Sequence, residues 1–215
     1  MTPRPRAISS EDKAQKRNEI LDAAETLWLE DQHEIANMHS VATAAGVAKG
    51  TLYLYFPSKE ELFLSLHERQ VRTFFEMIIE RAHQAKPMNI HEMHTVVRRF
   101  IESTPAFLPL TTLVHGLLER QIPAETSFVF KERILNHLNQ AVDALKPHFP
   151  NITAHMMMQS YAMIIGLWQL LRPTPLRELI KERLEDVACS DDYLNALESA
   201  LNALWRGNLM QEPVS

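Results

Sequence analysis

The sequence predicts an all-α protein, with a small N-terminal helical unit followed by a larger helical one. Three observations carry this expectation. Only 5 glycines occur in 215 residues, too few for a sheet protein built on tight turns. Apolar residues recur at spacings of three and four through most of the chain and rarely alternate. Prolines and helix-capping residues punctuate those periodic segments. Hydrophobic residues make up 46% and charged residues 23%, so a real core and an ordinary soluble surface are both available.

Taken in order, residues 1–10, with Pro3, Pro5, Arg4 and Arg6, read as a flexible basic arm. A first helix fits 12–29, with an apolar stripe of Ile20, Ala23, Ala24, Leu27 and Trp28. A short helix follows, capped by Asn37 and turning Val41, Ala42 and Ala45 inward. Gly46 can take the left-handed conformation that ends it. A third helix fits 48–56, stopped by Pro57. Ser58 and Glu61 form the pattern of a capping box, opening a long helix that reaches about residue 85. Further helices are expected at 90–103, 107–120, 125–145, 153–171, 176–187 and 191–205. Asn89 with Glu92 marks the first of these, and Asp191 the last. The expected organisation is therefore an arm at 1–10, a helix-turn-helix unit at 11–59 and a helical unit at 60–215.

The net charge of −5 on its face disfavours nucleic acid, but its distribution matters more. Residues 35–59 contain no carboxylate and carry His39, Lys49 and Lys59, so an acidic protein still presents a neutral-to-basic face. The single Cys189 excludes an internal disulfide framework. No apolar run approaches the roughly 20 residues that span a bilayer, and the N-terminus lacks a secretion signal. The expected location is the cytoplasm.

A short helix that enters a major groove must bury one face and show polar side chains on the other. Leu52 and Phe56, with Val47 just before, supply the buried face of the third helix. Lys49 can donate to guanine O6 and N7, and Thr51 can hydrogen-bond or touch a thymine methyl. Gly50 lets the backbone approach the duplex closely. Tyr53, Tyr55 and Lys59 suit phosphate oxygens, which set register without reading sequence.

Ile20–Ala24, Leu27-Trp28, Val41-Ala42, Ala45-Gly46-Val47, Gly50-Thr51-Leu52-Tyr53, Tyr55-Phe56 and Ser58–Leu62 together resemble the TetR family of bacterial transcriptional regulators. The resemblance covers about residues 20–63. It implies an N-terminal three-helix helix-turn-helix DNA-binding domain followed by a helical ligand-binding and dimerisation domain. It also implies a homodimer, a double-stranded DNA operator with palindromic half-sites, and a small-molecule effector that releases it. Asn37, His39, Lys49, Gly50, Thr51, Tyr53, Leu54, Tyr55 and Lys59 match family positions that meet DNA. The chain departs from the family at four places. Gln32 replaces a glycine that usually ends the first helix, and Asn37 replaces a threonine cap. Ala48 stands where serine often caps the recognition helix, and Leu54 stands at a position usually polar or aromatic.

In the larger unit, the stretch 153–171 is apolar nearly all round and must be covered on both sides. Phe100, Phe107, His115, Phe128, Met157, Tyr161 and Trp168 are the candidate ligand-lining residues, suited to a largely apolar ligand. The same residues at helical spacing also suit a plain core. Ile164, Leu167, Leu194, Leu197, Leu201 and Leu204 are the candidate dimer interface, in the manner of a four-helix contact.

No metal site is expected: His91 and His94 lack the spacing of a zinc motif. No cofactor motif, nucleophile elbow or acid–base constellation points to an enzyme. The expectation is a repressor released by a small ligand. The alternative is a DNA-binding regulator controlled by a protein partner, or an activator, without a small-molecule inducer.

Overall fold

A computed structural model describes residues 10–32, 34–184 and 192–209. Ten α-helices occur among them, and no strand: α1 Ser10–Glu30, α2 Met38–Ala44, α3 Lys49–Tyr55, α4 Lys59–Ala82, α5 Ile90–Ser103, α6 Phe107–Gly116, α7 Ala124–Leu145, α8 Ala154–Leu171, α9 Pro175–Leu184 and α10 Tyr193–Leu209. A 3₁₀ turn, Leu118–Arg120, lies between α6 and α7. The basic arm with Arg4 and Arg6, and the segment holding Cys189 and Asp191, lie outside the described residues. The chain groups into two compact units, residues 1–69 with 113–130 and residues 70–112 with 131–215.

Several expected helix limits shift by a few residues, and two of the shifts have a visible reason. The helix expected over 107–120 ends at Gly116, because Leu117 leaves the helical region at φ −133° and ψ −56°. Glycine is the weakest helix former short of proline, so the break falls beside it. α4 stops at Ala82, short of residue 85, where the Ala82 carbonyl is captured by a side chain. His148 Nε2 bonds the Ala82 carbonyl at 2.8 Å, while its Nδ1 accepts from the Met88 amide at 3.2 Å. Arg81 donates to the carbonyls of Lys86 and Pro87, so the chain turns there.

In the first unit, α1 buries Ile20, Leu21, Ala24 and Trp28. The buried stripe thus includes Leu21, while the expected Ala23 and Leu27 are half-buried. The Trp28 ring meets Phe63 of α4 edge-on at 6.2 Å. Arg69 of α4 clamps α1 from the side: Nη1 donates to Asp22 Oδ1 at 2.5 Å and Nη2 to Glu25 Oε2 at 2.8 Å. The two carboxylates lie three residues apart on one helical face, which suits the fork of one guanidinium.

The connection from α2 to α3 holds the recognition helix in place. Asn37 caps α2, its side-chain oxygen accepting from the amides of His39 and Ser40 at 3.0 Å each. At the other end the Val47 amide donates to the Ala42 carbonyl at 3.0 Å and the Gly46 amide to Thr43 at 3.1 Å. This pair is a Schellman motif, with Gly46 at φ 62° in the left-handed region. A methyl group added at Gly46 meets nothing within 4 Å, so the conformational cost stands alone. Gly46→Ala is expected to destabilise the protein by about 1–2 kcal/mol, read as a lowered urea midpoint at unchanged slope. An unchanged midpoint would mean that the turn relaxes out of the left-handed region.

The second unit is built on one apolar cluster. Phe74, Phe100 and Phe107 stack in sequence, with both centroid separations 4.9 Å. α10 packs against α8 and α5, burying Tyr193, Leu197, Leu201 and Trp205. The Tyr193 hydroxyl donates to the Ile164 carbonyl at 3.0 Å, and burial pushes its ionisation upward. α5 opens with a complete capping box between Asn89 and Glu92. Lys86, Arg81 and the Asn89 amide hold the Glu92 carboxyl down at about 2.

His94 of α5 is buried, and among the described residues its Nε2 has no hydrogen-bond partner. Burial, opposed by Glu198 and assisted by His91, pushes its pKa below the ordinary 6.5. The unfolded chain therefore binds this proton more readily than the folded one. His94's contribution is complete above 6.5 and falls away as pH drops from there through the folded value. Stability measured between pH 7.5 and 5 is expected to fall less steeply in His94→Leu than in the wild type. Equal slopes would contradict this assignment.

Candidate nucleic-acid interface

The seven residues of α3, Lys49 to Tyr55, divide cleanly by face. Leu52 is fully buried and Phe56, which caps the helix, nearly so. Lys49, Gly50, Tyr53 and Leu54 point to solvent, and Leu54 is 83% exposed. Thr51, Tyr55 and Lys59 are half-buried at the edges of that face. Leu54 thus presents an apolar side chain to solvent, of a kind that can touch a thymine methyl.

Two ring contacts order this surface. The Lys49 ammonium lies 5.9 Å from the centre of the Tyr53 ring, one turn along the same helix. That distance is at the outer limit of a cation–π attraction, so it biases the lysine without immobilising it. The guanidinium of Arg17, on α1, lies 5.0 Å over the Phe56 ring. Arg17 was not among the candidates from sequence, and its neighbourhood to Phe56 is visible only in three dimensions. Lys13 and Lys16 precede Arg17 on α1.

The caps on either side of α3 differ. Ala48 caps α3 with no side-chain hydrogen bond, in keeping with the missing serine. At the start of α4 the Ser58 hydroxyl accepts from the Glu61 amide at 3.1 Å, one half of the capping box. His39 stands exposed at the first turn of α2, two residues after the Asn37 cap. The nine sequence candidates, from Asn37 to Lys59, thus fall on α2, α3 and the first residue of α4, within the first unit.

A methyl group added at Gly50 meets nothing within 4 Å. Gly50→Ala is therefore expected to stabilise the free protein by about 0.5–1 kcal/mol, the helix-propensity gain. The same variant should bind DNA more weakly if the backbone at Gly50 approaches the duplex. Urea denaturation and DNA titration on one preparation check both signs. Unimpaired DNA binding would place Gly50 away from the duplex.

The candidate ligand residues are divided between the units. Phe100, Phe107 and Met157 are buried in the apolar cluster of the second unit, and Tyr161 and Trp168 pack against it half-buried. His115 and Phe128 belong to the first unit, and Phe128 is 61% exposed. Of the seven, Phe100 and Phe107 are brought into ring contact, and Phe74 fills the space on their other side. Of the candidate dimer residues, Ile164, Leu197 and Leu201 are already buried within the protomer. Leu167, Leu194 and Leu204 are half-buried against the same cluster. On α8, Met158 and Leu170 remain exposed. No helix among the described residues is long and apolar enough to cross a membrane.

A three-helix unit that displays α3 in this way defines a helix-turn-helix protein. Residues 20–66 match the family described as bacterial regulatory proteins, tetR family, and residues 68–212 match the tetracyclin repressor-like C-terminal domain. The chain belongs to the TetR family of transcriptional regulators, and its role is regulatory, not enzymatic. It is 30% identical to the HTH-type transcriptional repressor LfrR of Mycolicibacterium smegmatis, over 67% of this chain and 74% of that protein. It is 25% identical to the HTH-type transcriptional regulator YhgD of Bacillus subtilis, over 77% of this chain and 91% of that one. Among solved structures, a TetR-family regulator from Mesorhizobium loti superposes with a TM-score of 0.56 at 20% identity, covering 91% and 96% of the two chains. That likeness is one of fold.

Proposed function

We propose that the protein is a homodimeric repressor that binds a palindromic operator and is released by a small, largely apolar ligand. The observation that carries the reading is the outward face of α3. Lys49, Gly50, Tyr53 and Leu54 are displayed together while Leu52 and Phe56 hold the helix from behind. Lys49, Thr51 and Leu54 read bases; Tyr53, Tyr55 and Lys59 hold phosphate; Asn37 and His39 approach the backbone at the start of α2. LfrR, which is named a repressor, supports the sign of regulation.

The dimer reading is supported by the apolar side chains that α8 leaves outside, Met158 and Leu170, beside the half-buried Tyr161 and Ile165. Twofold pairing through α8 and α10 would cover them and set the two recognition helices about one helical turn of DNA apart, or slightly more. α4 is a single helix of 24 residues that opens beside α3 and ends in the second unit. A ligand that prefers one position of α4 would shift DNA affinity; a 100-fold loss requires about 2.7 kcal/mol of coupling.

Selection of genomic fragments by the purified chain tests the reading. An enriched inverted repeat, bound by two protomers, is the expected result. Enrichment of no sequence, or binding as a single protomer to an asymmetric site, would overturn it.

A further inference from the structure

A cleft of about 490 Å³ runs between α4 and α5 in the second unit, and none of the roles above uses it. Met77 and Val96 supply its apolar surface. One end is closed by Arg81 and Glu92, paired at 2.7 Å with both side chains largely withdrawn from solvent. Arg81 is further committed to the carbonyls of Lys86 and Pro87, and Lys86 also meets Glu92 at 3.0 Å. That end is internally satisfied and has no charge to offer a ligand.

The other end differs. Arg99 stands two helical turns beyond Glu92 on α5, and among the described residues it forms no ion pair or hydrogen bond. Glu80, next to Arg81 on α4, likewise forms none among them. The Thr95 hydroxyl donates to the His91 carbonyl and that of Ser103 to Phe100, so both keep only acceptor capacity toward the cleft. The uncommitted charged donor is therefore Arg99, and Glu80 opposes any second negative charge on an occupant.

We propose that the α4–α5 cleft binds a small amphipathic monocarboxylic acid, its carboxylate on Arg99 and its hydrocarbon on Met77 and Val96. A guanidinium meets a carboxylate through two parallel hydrogen bonds, which a lysine would not match. The volume lies within the roughly 300–1,000 Å³ of small-molecule sites. A hydrocarbon tail over Met77 and Val96 gains by removing apolar surface from water. Binding stands on the cleft itself; an effect of binding on DNA rests on the regulator reading above.

The test uses the full chain with octanoate, octylamine and octanol as probes, by titration calorimetry. Octanoate is expected to bind once per chain and more tightly than the amine or the alcohol. Arg99→Gln should weaken it at least tenfold. Thr95→Trp, at an exposed wall position, should weaken it similarly by filling the cleft, and circular dichroism reports whether each variant folds. Absence of octanoate binding, equal affinity for the three probes, or affinity unchanged in both variants would overturn the proposal. Octanoate that binds through Arg99 but leaves operator affinity unaltered would uphold the site and count against the effector reading alone.

Discussion

Trp205→Ala is expected to destabilise the protein by about 3–5 kcal/mol, the range for removing a large buried aromatic. Trp205 is 1% exposed and joins α10 to the rest of the second unit. Its ring meets Phe149 edge-on at 5.2 Å, and its Nε1–H donates to Ser160 Oγ at 2.9 Å. Ser160 passes the chain of bonds on, donating to the Met156 carbonyl at 2.9 Å. Trp205→Phe keeps most of the packing and removes one donor, so about 1 kcal/mol is expected from the missing hydrogen bond, plus a smaller packing penalty. Typical folded stabilities are about 5–15 kcal/mol, so the alanine variant should lose a large fraction of the total. Urea denaturation of the three proteins at one protomer concentration reads the difference, since the proposed dimer would make stability concentration-dependent. An alanine variant within about 1 kcal/mol of the wild type would mean that the seat of α10 on α8 contributes little.

Lys49→Ala carries the largest expected effect on function. Lys49 is exposed at the first position of α3, the end of a recognition helix that enters the groove first. A base contact of this kind contributes about 1–3 kcal/mol of discrimination. In the proposed twofold dimer the substitution occurs twice, so the loss expected on a palindromic operator is about 2–6 kcal/mol. Tyr53, whose ring lies 5.9 Å from the ammonium, should modulate this contact without replacing it. Lys49 is far from the buried side of α3, so the variant should fold normally. Operator titration by fluorescence anisotropy, with circular dichroism as control, separates impaired recognition from impaired structure.

Most of the helical framework was legible because its signals are local. Asn37, Gly46, Pro57, Ser58 and the Asn89–Glu92 box each act within one turn, and all mark helix limits in the structure. One helix limit differs from expectation because distant residues decide it. The end of α4 depends on His148, whose ring satisfies Ala82 and Met88 from 60 or more positions away. The break at Leu117 follows a glycine that the apolar periodicity alone passes over.

The site was legible to the extent that it lies on one short helix. Leu52 and Phe56 read as the buried side and are buried, because a period of 3.6 needs no knowledge of the partner helix. Arg17 over Phe56 and the Arg69 clamp on Asp22 and Glu25 join separate helices, and no local pattern announces them. Apolar residues of the second unit were harder still. Phe100 as a pocket wall and Phe100 as core have the same sequence signature, and Phe74 lies against it. Leu197 and Leu201 form a helical stripe whether it faces a partner or, as they do here, the protomer's own core.

The central claim is that Lys49, Thr51 and Leu54 of α3 read sequence while Tyr53, Tyr55 and Lys59 hold phosphate. Affinities of the wild type, Lys49→Ala and Lys59→Ala for the selected operator and for a scrambled duplex, across a salt series, test it most directly. Lys49→Ala should weaken the operator far more than the scrambled duplex. Lys59→Ala should weaken both alike and lower the salt slope by about 1 for each phosphate it no longer neutralises. Equal weakening on the two duplexes for both variants, with equal changes in slope, would contradict the account.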